Sequence, residues 1–321
     1  KAEDYVSDQI ALRDTWMETA SLVQRAALRQ EINDTWLGRS GRYFAKVTPD
    51  TFDTAQYEKN LEQVRTFFDN NSGKDCRIMM VPTPAYMLRD DLPANAPLFD
   101  AASCFDTLLG EFGPEAIDLR TALTANAADI YYRTDHHWTT LGAYYAYQQF
   151  CETLGLTPFD RDAYTAETCE DFYGTHYSKA RTWNAEPDTI TWYDLQNRLT
   201  IWNVTAPGQP TEGTQTGLYD TGKLDVYDKY AMFLHGNNGL SRIKGDSTGR
   251  GRILVIKDSY ANSFVPYLTA NYAAIDVVDF RNYNYGLDQL IAANDYDQIL
   301  VLYSYASFTT DPYLYRAGVA G

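Results

Sequence analysis

Arg252-Ile-Leu-Val-Ile-Lys-Asp-Ser-Tyr-Ala-Asn-Ser-Phe264 joins two kinds of pattern without a break. The apolar run ending at Ile256 has the length and composition of a buried parallel strand, and the residues after Ser259 take up a helical pattern. In doubly wound sheets ligands collect at the carboxyl ends of strands, so Ser259 is placed at the mouth of a crevice. A helix starting there turns unsatisfied backbone N–H groups and its positive dipole end toward an incoming anion. That suits a tetrahedral oxyanion, with the N–H of Ser259 or Tyr260 as donor. The logic is that of a nucleophile elbow, although G-x-S-x-G is absent, and Asp258 and Ser259 also read as plain helix caps.

Strand and helix patterns alternate on either side of this stretch. Downstream, Ala274 to Asp279 and Gln298 to Tyr303 read as strands, with helical segments at about 260–271 and 286–294. Upstream, helical spacing predicts helices over about 8–32, 53–72, 101–112, 123–128 and 139–151. Arg77 to Val81 reads as a buried strand and Ala116 to Arg120 as a short one. This alternation is the signature of an α/β fold. Between residues 158 and 245 the texture changes to short alternating runs punctuated by Gly, Pro, Asp and Asn, which predicts a β-rich insertion lobe. The division expected is a catalytic domain from 1–157 and 246–321, with 158–245 walling its cleft. Three of the six tryptophans, Trp183, Trp192 and Trp202, fall in the insertion and are expected beside Ser259.

The chain has 321 residues, 45% of them hydrophobic, enough for a large core, and a formal charge of −16. That field argues against nucleic acid as a partner. No apolar run approaches the roughly 20 residues that span a bilayer. Cys76, Cys104, Cys151 and Cys169 match no zinc spacing, so buried free thiols are expected ahead of disulfides. The 26 tyrosines suit sugar rings as well as protein cores.

A serine hydroxyl becomes a useful nucleophile when a base takes its proton, and a histidine is the better base when a carboxylate fixes its tautomer. Thr134-Asp135-His136-His137-Trp138-Thr139 holds two of the chain's four histidines beside an aspartate. His137, two residues from Asp135, is the expected base, with His136 positioning the loop or the substrate. A pair of structural histidines packed by Trp138, or a metal cluster, are the other readings. The further Asp-rich motifs that metal-dependent phosphoesterases need are missing, so neither metal nor cofactor is expected. Asn237 or His235, in Leu234-His235-Gly236-Asn237-Asn238-Gly239, is a further candidate for the pocket, although such a cluster is more often only a turn.

Asp135-His-His-Trp138, the Ile256-Lys-Asp-Ser-Tyr-Ala-Asn-Ser-Phe264 block and Phe280-Arg-Asn-Tyr283 together resemble the DHHW family of bacterial surface proteins. That family is similar to the SGNH/GDSL hydrolases and to the alginate O-acetylation proteins. The resemblance implies a three-layer α/β/α SGNH-hydrolase-like sandwich with a mainly parallel sheet, circularly permuted because the Asp/His block precedes the serine block. It implies Ser259 as nucleophile with His137 and Asp135, and acyl-ester chemistry, as an O-acetyltransferase or acetylesterase, on a cell-surface carbohydrate. The partners it implies are a polysaccharide or small acyl ester as substrate and a membrane-bound acyl donor, in a secreted or cell-surface setting. The family's oxyanion donors fall near Arg281 or Asn282 and near Tyr303, and Lys257 stands where the serine block has glycine. A non-catalytic glycan-binding or envelope-assembly protein on the same fold is the competing reading.

Overall fold

The computed structural model describes residues 12–124, 129–203, 211–245 and 250–318. The N-terminal helix α1 (Arg13–Ala26) is followed by a small antiparallel sheet of β1 (Glu31–Ile32), β2 (Thr35–Leu37) and β3 (Tyr43–Ala45). These strands are too short for periodicity to reveal, and the helical pattern expected to residue 32 ran over β1. Next come α2 (Thr54–Asn70), β4 (Asp75–Val81), α3 (Ala101–Phe112) and α4 (Thr140–Leu154). Asp53 caps α2 by accepting from Gln56 N at 2.9 Å, and Gly155 ends α4 in a left-handed conformation at φ 64°. The strand expected from Ala116 shrinks to one parallel bridge with Ile78, because Asp118 accepts from Arg120 N at 2.9 Å and turns the chain into a helical turn.

The segment 158–245 supplies β5 (Ala166–Phe172), the short helix α5 (Thr175–Ala180), β6 (Asp188–Tyr193), β7 (Arg198–Asn203), β8 (Thr211–Thr216) and β9 (Leu240–Lys244). Beyond it lie β10 (Arg250–Lys257), α6 (Val265–Leu268), β11 (Tyr272–Val278), α7 (Asp288–Ala293) and β12 (Gln298–Ser304). The large sheet has the order β4-β12-β10-β11-β9-β7-β8. Its first four strands are parallel, and β9, β7 and β8 continue it antiparallel, so the sheet is mixed. A boundary at residue 245 therefore cuts through the sheet: of the segment expected as a lobe, three strands extend the main sheet and β5 and β6 pair as a separate ribbon.

Alternate residues of β10 face opposite sides. Ile253 and Val255 pack with Ala143, Tyr147 and Phe150 of α4, whereas Leu254 and Ile256 pack with Val64 and Phe67 of α2 and Phe105 of α3. Burying β10 on both faces fixes its register, and with it the place where the chain leaves the sheet at Asp258. Among the described residues no helix is long and apolar enough to cross a membrane, and all four cysteines are free.

Candidate active site

β10 ends at Lys257, and the chain turns through a single 3₁₀ segment, Ser259–Ser263, before α6. A longer helix was expected there; Pro266 at the start of α6 has no N–H to continue the ladder back into the turn. Asp258 fixes the turn with both carboxylate oxygens. Oδ1 accepts from Tyr260 N at 2.9 Å, and Oδ2 accepts from Ser304 N and Oγ at 2.9 and 2.6 Å. Asp258 is thus the cap the sequence allowed, while Ser259 is left partly exposed.

The Asp-His-His block lies at the tip of a hairpin closed by the Tyr131–Trp138 bridge and by Tyr132 N donating to His137 O at 3.2 Å. Asp188 of β6 grips its base, accepting from Arg133 N at 2.7 Å, Thr134 N at 2.8 Å and Thr134 Oγ1 at 2.6 Å. Trp138 then ties the hairpin to the serine turn by donating from Nε1 to Tyr260 O at 2.9 Å and Ser263 Oγ at 3.0 Å. The phenol of Tyr260 closes the same seam by donating to His136 O.

This seam brings His137 Nε2 to 2.8 Å from Ser259 Oγ, across 122 residues of sequence. On the other side of the ring Nδ1 lies 2.5 Å from Asp135 Oδ1, which also accepts from His137 N at 2.9 Å. Asp135 Oδ2 accepts from Thr175 N and Oγ1 at 2.8 and 3.0 Å, at the start of α5. Burial opposes ionisation of Asp135, but the adjoining His136 and His137 rings and these hydrogen bonds hold its pKa well below the usual carboxylate range. With Asp135 ionised, the ring proton belongs on Nδ1 and Nε2 is left to accept from the serine hydroxyl.

His136 does not face the serine; its Nδ1 lies 2.6 Å from Thr175 Oγ1. Burial, and then His137, push it down to about 3, so it is neutral at pH 7. Donor atoms of Asp135, His136 and His137 come within 4.8 Å of one another. Both nitrogens of His137 and both oxygens of Asp135 are already committed, so the trio has few lone pairs left for a cation.

The expected oxyanion donors fare less well. Tyr260 N–H is spent on Asp258 and its ring is buried, whereas the N–H of Ser259 has no hydrogen-bond acceptor among the described residues. Tyr303 is 1% exposed and points into the opposite core, since strand alternation sends it away from Leu302. Arg281 forks onto Asp279, with Nε to Oδ1 at 2.9 Å and Nη2 to Oδ2 at 2.6 Å, and Asn282 Nδ2 donates to Asn237 O at 2.8 Å. Each thus spends part of its donor set on neighbouring residues. His235 turns toward Gly217 O at 2.9 Å.

Asn237 is more informative. Its loop strings together three left-handed residues, Leu234, His235 and Gly236. Its Oδ1 accepts from the buried Lys257 Nζ at 2.8 Å and from Asn262 Nδ2 at 3.1 Å. Because an ammonium can only donate, the amide of this exposed residue must present Nδ2 outward. Lys257 is itself held by Asp279 at 2.9 Å. Burial would raise Asp279, but Lys257 and Arg281 outweigh it and hold it down to about 2.

Sequence reasoning missed Tyr230, whose ring stacks on His137, and Gly174 and Thr175, which seat Asp135. No signal in one sequence marks them. None of the three tryptophans meets Ser259 among the described contacts: Trp192 packs with Phe172 and Ile190, Trp202 lies under Arg242, and Trp183 is exposed.

A serine just past a buried strand, a histidine and an aspartate lie in hydrogen-bonded line on a mixed α/β sheet, an arrangement consistent with an SGNH-like domain. The family model described as DHHW protein matches residues 120–278, and that described as SGNH hydrolase-like domain, acetyltransferase AlgX, matches residues 32–187. A DHHW family protein from Eubacterium siraeum has a similar structure, with TM-score 0.74 at 22% identity, covering 90% of this chain and 97% of that one. PatB1 of Bacillus cereus, solved with a sulfonyl adduct, gives 0.70 at 19%, covering 88% and 99%. The O-acetyltransferase domain of Pseudomonas putida AlgJ gives 0.51 at 15%, covering 86% and 92%. No curated protein matches. The chain thus resembles the DHHW proteins and the SGNH hydrolase-like domain of AlgX, as its motifs implied.

Proposed function

We propose that this protein transfers an acyl group between oxygen atoms, taking it from an ester onto Ser259 and passing it to a carbohydrate hydroxyl or to water. The observation that carries the reading is the line Asp135–His137–Ser259, at 2.5 and 2.8 Å. Ser259 Oγ attacks the ester carbonyl while His137 Nε2 takes its proton. The tetrahedral oxyanion meets the N–H of Ser259 and, in this reading, Asn237 Nδ2. As the intermediate collapses the C–O bond to the leaving alcohol breaks, and that alcohol takes the proton from His137. The acyl-serine is then attacked by the acceptor hydroxyl, whose proton returns to His137, and Ser259 is regenerated.

Similarity to a protein named as an O-acetyltransferase domain, and to an acetyltransferase family model, supports acetyl as the group; the acceptor proposed is a polysaccharide hydroxyl. The setting proposed is extracytoplasmic, at the cell surface, with a membrane-bound acyl donor as partner. A pure binding role would be favoured by a serine far from its base; 2.8 Å supports the enzyme.

The test is mass spectrometry after treatment with a sulfonyl fluoride, together with hydrolysis of a small acetyl ester and acetyl transfer to oligosaccharides. One adduct on Ser259, and loss of activity in Ser259→Ala and His137→Ala, is the expected result. Equal activity in parent and Ser259→Ala would refute the mechanism.

A further inference from the structure

His137 is held at its edge by hydrogen bonds, to Asp135 at Nδ1 and to Ser259 at Nε2. Neither bond covers the faces of the ring, and a tilted ring aims its lone pair less well at the serine proton. Tyr230 covers one face, with ring centroids 3.7 Å apart and planes 9° from parallel. His136 covers the other at 3.8 Å and 37°.

We propose that Tyr230 is a positioning residue for the base: its flat ring fixes the plane of His137 and offers its π face to the imidazolium that forms as the serine proton is taken. The inference rests on the Ser259–His137–Asp135 reading. Tyr230 is itself well anchored. Its hydroxyl donates to Ser259 O at 3.2 Å and lies 3.1 Å from Ser263 Oγ, so one side chain spans the base and the backbone of the nucleophile. Its ring packs among Tyr132, Phe172, Trp192 and Phe233, in a cluster built largely from the 158–245 segment. Burial raises its phenol pKa well above the ordinary value, which keeps it neutral beside the forming cation. Cation–π attraction strengthens in such a desolvated place. His136, neutral at pH 7, offers no comparable charge stabilisation.

The experiment compares Tyr230→Phe, which keeps the ring, with Tyr230→Leu, which keeps bulk without it, in the full chain. Turnover of 4-nitrophenyl acetate is expressed per serine titrated with a sulfonyl fluoride, so that misfolded protein drops out. In Tyr230→Phe kcat is expected to stay within about threefold of the parent. In Tyr230→Leu it is expected to fall on the order of tenfold, with KM unchanged, and the sulfonylation rate to fall in step. Should Tyr230→Leu fail to fold, Tyr230→Met is the substitute and carries the same expectation. Equal kcat per titrated serine in the aromatic and aliphatic variants overturns the inference while leaving the triad intact. A parent with neither an adduct on Ser259 nor turnover overturns both.

Discussion

Gly174→Ala is a one-methyl perturbation aimed at the carboxylate. A Cβ on Gly174 would lie 2.2 Å from Asp135 Cβ and 2.4 Å from Oδ2, where ordinary van der Waals contact begins at 3.4 Å, so the methyl overlaps by about 1.2 Å. Neither side yields easily. Gly174 N donates to Thr134 Oγ1 at 3.0 Å, its carbonyl accepts from Tyr227 Oη at 3.1 Å, and Asp135 is pinned by four donor contacts from His137 and Thr175. The backbone conformation itself is one alanine adopts freely, at φ −88°, so the penalty is purely steric. Overpacking of this kind costs about 1–3 kcal/mol. An Asp135 pushed aside by about 1 Å no longer aligns His137, which is worth on the order of 100-fold in kcat. Thermal melting by circular dichroism and turnover per titrated serine separate the two effects. A variant that melts with the parent and keeps kcat within about threefold would refute the claim that Asp135 is seated by its contact with Gly174.

Four other outcomes follow from the geometry. Asn237→Asp keeps an acceptor for Lys257 but removes the outward N–H donor; kcat is expected to fall at least about tenfold without loss of melting temperature, and unchanged kcat would remove Asn237 from the oxyanion site. Asp258→Ala frees Tyr260 N and Ser304 N inside the protein and is expected to lower unfolding free energy by about 2 kcal/mol or more in a urea titration. A thiol reagent at pH 8 is expected to modify Cys169 alone in the native protein and all four cysteines after unfolding; burial raises the pKa of Cys76 to about 12, Cys151 to about 11, and that of Cys104 as well. Burial pushes His176 down to about 4, so between that value and about 6.5 the unfolded chain binds the extra proton. Stability contributed by keeping His176 neutral is therefore complete above pH 6.5 and is lost as pH falls toward 4, on the order of 3 kcal/mol in all; His176→Gln should flatten the urea-midpoint profile across that window.

Ser259, His137 and Asp135 were legible because their chemistry is rare and local. The chain has four histidines, two of them beside one aspartate, and Ser259 stands just past a buried strand and at the start of a helical pattern. What seats those residues was not legible. Tyr230 is one tyrosine among 26, and Gly174 and Thr175 sit in a stretch whose composition reads only as turn. Periodicity tells which face of a strand is buried but not which strand lies beside it, so β7, β8 and β9 read as part of a separate lobe. Ile243, for example, alternates into the same core as Ile275, its partner across the β9–β11 pair, and either a lobe or a sheet extension would need that apolar residue. At two of the expected oxyanion positions strand counting could not foresee the side chains: alternation turns Tyr303 inward, and Asp279 takes two of the Arg281 donors.

The reversed order of the two motifs raises a physical question: what makes a hairpin at residues 131–138 find a turn at 259–263? Two aromatic side chains answer it. Trp138, fully buried, donates across the seam to the backbone of Tyr260, while Tyr260 donates back to the backbone of His136. Each motif thus carries an aromatic whose polar atom satisfies a buried carbonyl of the other, and leaving either carbonyl unpaired costs about 1–3 kcal/mol. These bonds sit one residue beyond the reacting groups, at Trp138 next to His137 and at Tyr260 next to Ser259, so the seam sets the 2.8 Å approach without occupying the crevice. On this account Trp138→Phe, which keeps most of the ring volume but loses the donor, weakens the docking of the base more than the packing of the core. The melting temperature of Trp138→Phe should fall by a few degrees at most, while sulfonylation of Ser259 slows by about tenfold. A variant that melts far lower yet is sulfonylated at the parent rate once folded would show that Trp138 fills space and does not join the two halves of the site.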